Sequence, residues 1–253
     1  MILFFDSGIG GLSYLEEFHR RAPDVPLLYL ADQAFFPYGN RAPGHVRERV
    51  VSLITAVQAH YPVDLVVIAC NTASVVALDA TRRHVDVPVV GVVPAVKPAV
   101  SLTATNHIAV LATANPATDP HTADLVRQFG SLCQVTRLGL PRLVVAAEKS
   151  VCQISTPSVS DVVQQDVTPH LPPDVDTVVL ACTHFIRVRD DLIRLLGPHR
   201  TIVDSLDGVV RRISSVLETH KIPVRGELRT SPLFLNTAPL DDTLGCLPFE
   251  QRH

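Results

Sequence analysis

No two of the five cysteines (Cys70, Cys133, Cys152, Cys182 and Cys246) lie close enough in sequence to make a CxxC pair. An odd count without such pairs favours a reduced, cytoplasmic protein with free thiols over a disulfide framework. No HxxxH or HExxH spacing and no Cys/His cluster occurs among the 11 histidines, so no metal is expected. Basic excess is missing as well: a net charge of −3 and a pI near 6.4 leave no electrostatic footprint for nucleic acid. There is no uncharged apolar stretch of the roughly 18 residues that a membrane span needs. Met1–Asp6 has no basic region of the kind that opens a signal peptide. Low-complexity segments and long charge runs are absent. The remainder, 253 residues with 47% hydrophobic and 19% charged, is the composition of an ordinary globular protein, long enough for one large domain or two small ones.

The chain does have a repeated phrase. Residues 63–72 read Val-Asp-Leu-Val-Val-Ile-Ala-Cys-Asn-Thr and residues 175–184 read Val-Asp-Thr-Val-Val-Leu-Ala-Cys-Thr-His, which sets Cys182 112 residues after Cys70. Self-similarity at that spacing predicts two comparable half-sized units, each presenting one thiol at an equivalent place. Further short runs rich in Val, Ile and Leu lie at 2–5, 27–31, 89–93, 108–112 and 201–203. They are continuous rather than alternating, as in strands buried on both faces of a parallel sheet. Segments 45–60, 73–84, 122–129, 187–196 and 207–219 have helical spacing, and Phe234-Leu235 looks like a late strand. The fold class is therefore α/β, with two doubly wound lobes. A boundary is expected near Pro94 and Pro98, with residues 1–96 plus 206–253 forming the lobe of Cys70 and residues 97–205 the lobe of Cys182.

Each cysteine closes a strand and opens a helix, through Asn71-Thr72-Ala73-Ser74 and Thr183-His184, residues that suit a helix N-terminus. Ligands of open α/β sheets bind beyond the carboxyl ends of strands, so both thiols should face a ligand. A helix N-terminus favours thiolate and can also grip a carboxylate. Taken singly, either cysteine reads equally as a buried structural residue; the repeated context favours chemistry. Asp6-Ser7-Gly8-Ile9-Gly10-Gly11 comes directly after the first strand and allows a tight turn close to a ligand, but its glycine spacing is not that of a dinucleotide-binding loop. Asp6 suits the orientation of a base, the holding of an ammonium group, or the capping of the next helix. Pro37-Tyr38-Gly39 reads as a turn bearing a hydroxyl. His184, two residues past Cys182, suits proton relay or thiolate stabilisation, with a helix cap as the plainer role. Glu148, in a helix-like run, reads on local grounds as a surface residue.

Six motifs in order resemble the glutamate racemases: Asp6-Ser7-Gly8-Ile9-Gly10-Gly11-Leu12, Pro37-Tyr38-Gly39, Ala69-Cys70-Asn71-Thr72-Ala73, Gly91-Val92-Val93-Pro94-Ala95, Cys182-Thr183-His184-Phe185 and Val203-Asp204-Ser205. The resemblance implies two lobes related by pseudo-twofold symmetry with the active site in the cleft between them. It implies cofactor-independent racemisation of glutamate for peptidoglycan synthesis, with Cys70 and Cys182 as the two bases. By the same resemblance Asp6, His184 and Glu148 assist the thiols. Ser7, Tyr38, Gly39, Asn71, Thr72 and Thr183, with Asp6 and His184, hold the substrate. No cofactor, nucleic acid or membrane is implied, and a homodimer is the assembly expected. Two departures stand out: Thr113-Ala114-Asn115-Pro116-Ala117-Thr118 replaces a turn whose threonine contacts substrate in the family, and Ile186-Arg187 replaces Pro-Leu. They keep open another amino acid or a hydantoin as substrate, or a glutamate-binding homologue without turnover. A reversible Cys70–Cys182 disulfide is the remaining alternative.

Overall fold

The computed structural model describes residues 1–113, 133–150, 157–222 and 231–238, and the backbone of 250–252. The helix expected at 122–129, the turn at 114–118 and two of the cysteines, Cys152 and Cys246, lie outside the described residues. The chain folds as two compact units, the first made of Met1–Val92 and the chain from Leu206, the second of Val93–Ser205.

In the first unit, β1 (Ile2–Asp6), β2 (Leu27–Ala31), β3 (Leu65–Ile68), β4 (Val89–Gly91), β9 (Leu233–Asn236) and β10 (Glu250–Arg252) form one parallel sheet in the order β10-β9-β2-β1-β3-β4. In the second, β5 (His107–Ala112), β6 (Gln134–Gly139), β7 (Thr177–Leu180) and β8 (Thr201–Val203) form a parallel sheet in the order β6-β5-β7-β8. Each unit thus places its first strand centrally, its second on one side and its third and fourth on the other. The order reverses between the first and third strands, which is the point where open α/β sheets bind ligands. The continuous apolar runs form these strands because both faces are covered: β1, β2, β3, β5 and β7 are buried at every position.

Between the strands run α1 (Leu12–Arg21), α2 (Pro43–His60), α3 (Asn71–His84), α4 (Val96–Leu102), α5 (Pro141–Ser150), α6 (Val159–Val162), α7 (Thr183–Arg187), α8 (Arg189–Leu196) and α9 (Leu206–Thr219). Pro43 and Pro98 both fall in first turns, where a missing N–H costs nothing; Pro98 therefore belongs to α4 rather than to a linker. The single helix expected at 187–196 is two, because Val188 leaves the helical region (φ −110°, ψ 21°). Strand β6 gave no apolar signal, since Gln134–Gly139 is an edge strand with half-buried or exposed side chains. The tail strand β9 joins the first unit beside β2, where the buried Phe234 ring stacks on Tyr29 with centroids 5.4 Å apart. Helix α9 packs on α1, and Arg21 reaches Asp207 at 2.8 Å.

Candidate active site

Register brings the chemistry of the first unit to one sheet edge. Asp6 is paired with Ala31 across β1 and β2, Phe5 with Ile68 across β1 and β3, and the Ala69 amide donates to the Phe5 carbonyl at 2.7 Å. Asp6, Asp32 and Cys70 consequently leave the sheet at the same level. The second unit repeats the arrangement: Leu111 pairs with Leu180 and the Ala181 amide donates to the Leu111 carbonyl at 2.8 Å, which delivers Cys182 to the equivalent place. The two alanines of the repeated phrase, one residue past their strands, donate the last backbone bond to the sheet before each thiol.

Both cysteines are themselves the N-cap residues of their helices, in extended conformation (φ −131° and −142°) and without a side-chain capping bond. The capping role expected of the residues after them is thus not taken up; Ser74 instead donates to the Ile68 carbonyl and accepts from the Val92 amide, fastening β3 to the end of β4. Cys70 sits at the positive end of the 14-residue α3, where an anion is favoured. Its Sγ lies 3.9 Å from Ser7 Oγ, and Ser7 donates to Asp6 Oδ1 at 3.2 Å. The same oxygen receives the Gly8 amide at 3.3 Å, so Asp6 closes its own turn; Tyr29 OH donates to the Gly8 carbonyl at 2.8 Å. Gly11 is required by space. A Cβ there would stand 2.8 Å from both the Cβ and the carbonyl oxygen of Ala69, and 3.0 Å from Asp6 Oδ2. Asn71 is buried, and its Oδ1 has no hydrogen-bond partner among the described residues. A buried acceptor left open in this way is unusual and suits a ligand N–H.

In the second unit, Cys182, His184 and Glu148 form a chain. Cys182 Sγ is 3.8 Å from His184 Nδ1, and His184 Nε2 donates to Glu148 Oε2 at 2.6 Å. Thr183 Oγ1 lies 3.5 Å from the same Nδ1. Glu148 is not a surface residue: α5 packs on α7, and only 11% of its side chain is exposed. Burial alone would push the His184 imidazole down, but the Glu148 carboxylate and the Cys182 sulfur outweigh it and hold the ring well above its ordinary value. Both neighbours favour the charged form of the ring.

Tyr38 occupies the 3₁₀ turn Tyr38–Asn40 with Gly39 half-buried after it, and Thr72 is half-buried in the first turn of α3. The Tyr38 hydroxyl is already committed, donating to the buried Asp32 at 2.7 Å. The proton of that hydroxyl is not free for a ligand, so this turn has its backbone to offer. Residues that sequence reading missed surround the same carboxylate, namely Arg49 and Thr237. Arg49 lies on a helix face with no pattern of its own, and Thr237 lies 205 residues from Asp32, so neither gave a local signal. Among the described residues no cluster of His, Cys, Asp or Glu could hold a metal, and no helix is long and apolar enough to cross a membrane.

Each of the two parallel-sheet α/β units thus carries one buried thiol just beyond the carboxyl end of its third strand. The family model for Asp/Glu/Hydantoin racemase matches residues 8–213. Glutamate racemase from Salmonella typhimurium is 44% identical over 225 residues, 88% of this chain and 78% of that protein. The Escherichia coli glutamate racemase is 41% identical over 224 residues with the same coverage. A crystal structure of the E. coli enzyme in complex with L-glutamate and the activator UDP-MurNAc-ala superposes with a TM-score of 0.88 at 37% identity, covering 99% of this chain and 96% of that one. Isoform RacE1 from Bacillus anthracis gives a TM-score of 0.83 at 25% identity, covering 100% and 96%. The chain belongs to the aspartate/glutamate/hydantoin racemase family.

Proposed function

We propose that this protein interconverts L- and D-glutamate without a cofactor, supplying D-glutamate for peptidoglycan. The observation that carries the reading is the duplicated strand–Cys–helix unit, together with the identity to glutamate racemases over most of the chain. Racemisation has no preferred direction, so it calls for two bases of the same kind. Two thiols meet that need, because thiol and thiolate both exist near neutral pH. In this reading one of Cys70 and Cys182 removes the α-proton as thiolate and the other returns a proton as thiol, so that each turnover leaves the two protonation states exchanged.

The groups around each thiol supply the rest. The His184 imidazolium, backed by Glu148, stabilises the thiolate that Cys182 becomes when it serves as donor. On the other side, Ser7 and Asp6 orient Cys70. The open Oδ1 of Asn71 accepts from the substrate ammonium, while backbone donors at Ser7, Gly39, Thr72 and Thr183 take its carboxylates. Tyr38 contributes through its turn rather than its hydroxyl.

The test is incubation with L-glutamate and with D-glutamate in deuterium oxide, following α-proton exchange by NMR and enantiomers by chiral chromatography. Exchange with formation of the opposite enantiomer is expected, with racemisation abolished in both Cys70→Ser and Cys182→Ser. Well-folded protein that exchanges neither enantiomer at saturation would exclude glutamate, and a screen of other amino acids and hydantoins would be the next step.

A further inference from the structure

The mechanism leaves one fully buried carboxylate unused. Asp32, directly after β2, receives Arg49 Nε at 2.8 Å on Oδ2, Arg49 Nη2 at 2.7 Å on Oδ1, Tyr38 OH at 2.7 Å on Oδ2 and Thr237 Oγ1 at 2.6 Å on Oδ1. Thr237 Oγ1 in turn accepts the Ala34 amide at 3.1 Å. The Arg41 and Arg49 guanidinium groups lie 4.5 and 5.5 Å from the Phe35 ring centroid, and Phe35 meets Tyr38 edge-on. One carboxylate thus joins three stretches of chain distant in sequence: the loop from Asp32 to Arg41, the middle of α2, and the residue after β9.

We propose that Arg49 and Thr237 are positioning residues for glutamate binding, acting through Asp32 to fix the Tyr38–Gly39 turn. The inference rests on the proposed function, in which this turn grips substrate. Its backbone can do so only if the turn is held still. Arg49 fits the role because a planar guanidinium meets both oxygens of one carboxylate in a fixed geometry, which an ammonium group does not. Thr237 adds a donor to Asp32 and an acceptor for Ala34 with a single hydroxyl, so the tail strand helps define the shape of a loop some two hundred residues earlier. Binding of substrate, rather than proton transfer at its α-carbon, is where a loosened turn is felt.

The experiment measures kcat and KM for both enantiomers in Thr237→Val, Thr237→Ser and Arg49→Lys beside the wild type, with thermal melts of each. Thr237→Val is expected to raise KM for both enantiomers about 3- to 10-fold with kcat within about twofold, since misplacement of positioning groups by a fraction of an ångström is felt in tenfold steps. Thr237→Ser, which keeps the hydroxyl, restores KM. Arg49→Lys keeps the charge and loses the fork, and raises KM at least as far. Unmoved KM values in folded Thr237→Val, or a loss confined to kcat or to melting temperature, would overturn the proposal while an active wild type upholds the glutamate reading. A wild type inactive on glutamate would overturn both. Should Arg49→Lys fail to fold, the Thr237 pair decides.

Discussion

Replacing Glu148 by Gln removes a charge and little volume from the centre of the second unit, and its effect can be worked out before measurement. The wild-type pair is an imidazolium donating at 2.6 Å to a carboxylate with 11% of its side chain exposed. A buried hydrogen bond to a charged partner contributes about 1.5–3 kcal/mol. If the transition state needs His184 fully charged, losing that contribution lowers kcat/KM about 10- to 140-fold at about 1.4 kcal/mol per decade. Because L- and D-glutamate have equal free energies in water, kcat/KM must fall by the same factor for both enantiomers. The separate kcat and KM values are free to diverge, since only one thiol loses its support. The assay is circular dichroism of glutamate solutions started from either enantiomer.

The same substitution predicts a change in the pH dependence of stability. His184 holds its proton more tightly in the folded chain than in the unfolded one, where its value is about 6.5. Its contribution is therefore complete below about pH 6.5 and is lost as pH rises through the raised folded value, because in that window the folded state binds more protons. Urea midpoints of the wild type should fall across this window, and the fall should be smaller in Glu148→Gln, which keeps only the Cys182 sulfur beside the ring. A folded Glu148→Gln protein with kcat/KM within twofold of wild type and an unchanged slope would refute the charged-pair account.

Two structural predictions come from geometry alone. Gly11→Ala drives a methyl group against the backbone and Cβ of Ala69, which cannot rotate away, and should cost about 1–3 kcal/mol in urea denaturation, with a larger proportional loss of activity because Asp6 Oδ2 is the third neighbour. Phe234→Ala removes a fully buried ring stacked on Tyr29 and should cost about 3–5 kcal/mol. A loss under about 1 kcal/mol, far below the range for a buried ring, would show that β9 adds little to the first unit.

Much of this fold is legible along the chain because a parallel sheet buried on both faces writes its strands as unbroken apolar runs. Leu65–Ile68 and Thr177–Leu180 are of that kind. Strand β6 escapes because an edge strand in this sheet satisfies its ladder on one side only and leaves residues such as Arg137 exposed. Cys70 and Cys182 were legible through repetition, and His184 through its closeness to Cys182. Glu148 was legible only by resemblance: the interval of 36 residues to His184 carries no period, and its burial comes from packing of α5 on α7. Arg49 and Thr237 lie further still from sequence logic, since their shared partner exists only once β9 has paired with β2.

The duplication explains why the two thiols occupy equivalent places, but it does not make their surroundings alike. The Ala–Cys step is set by the sheet, through amides that reach the carbonyls of Phe5 and Leu111, and any sequence keeping the ladder keeps it. The residues after each cysteine are free to diverge, and they have: Asn71-Thr72 opens α3, while Thr183-His184 opens the five-residue α7. The hydroxyl of Ser7 stands near one sulfur and a charged imidazole near the other. Racemisation tolerates this difference because the equilibrium between enantiomers belongs to the substrate. Only the product of the steps along the path is shared by the two directions. Unequal surroundings of the two sulfurs therefore change the heights of individual steps without biasing the outcome. An isotope effect larger from one enantiomer than from the other is the expected signature of that asymmetry.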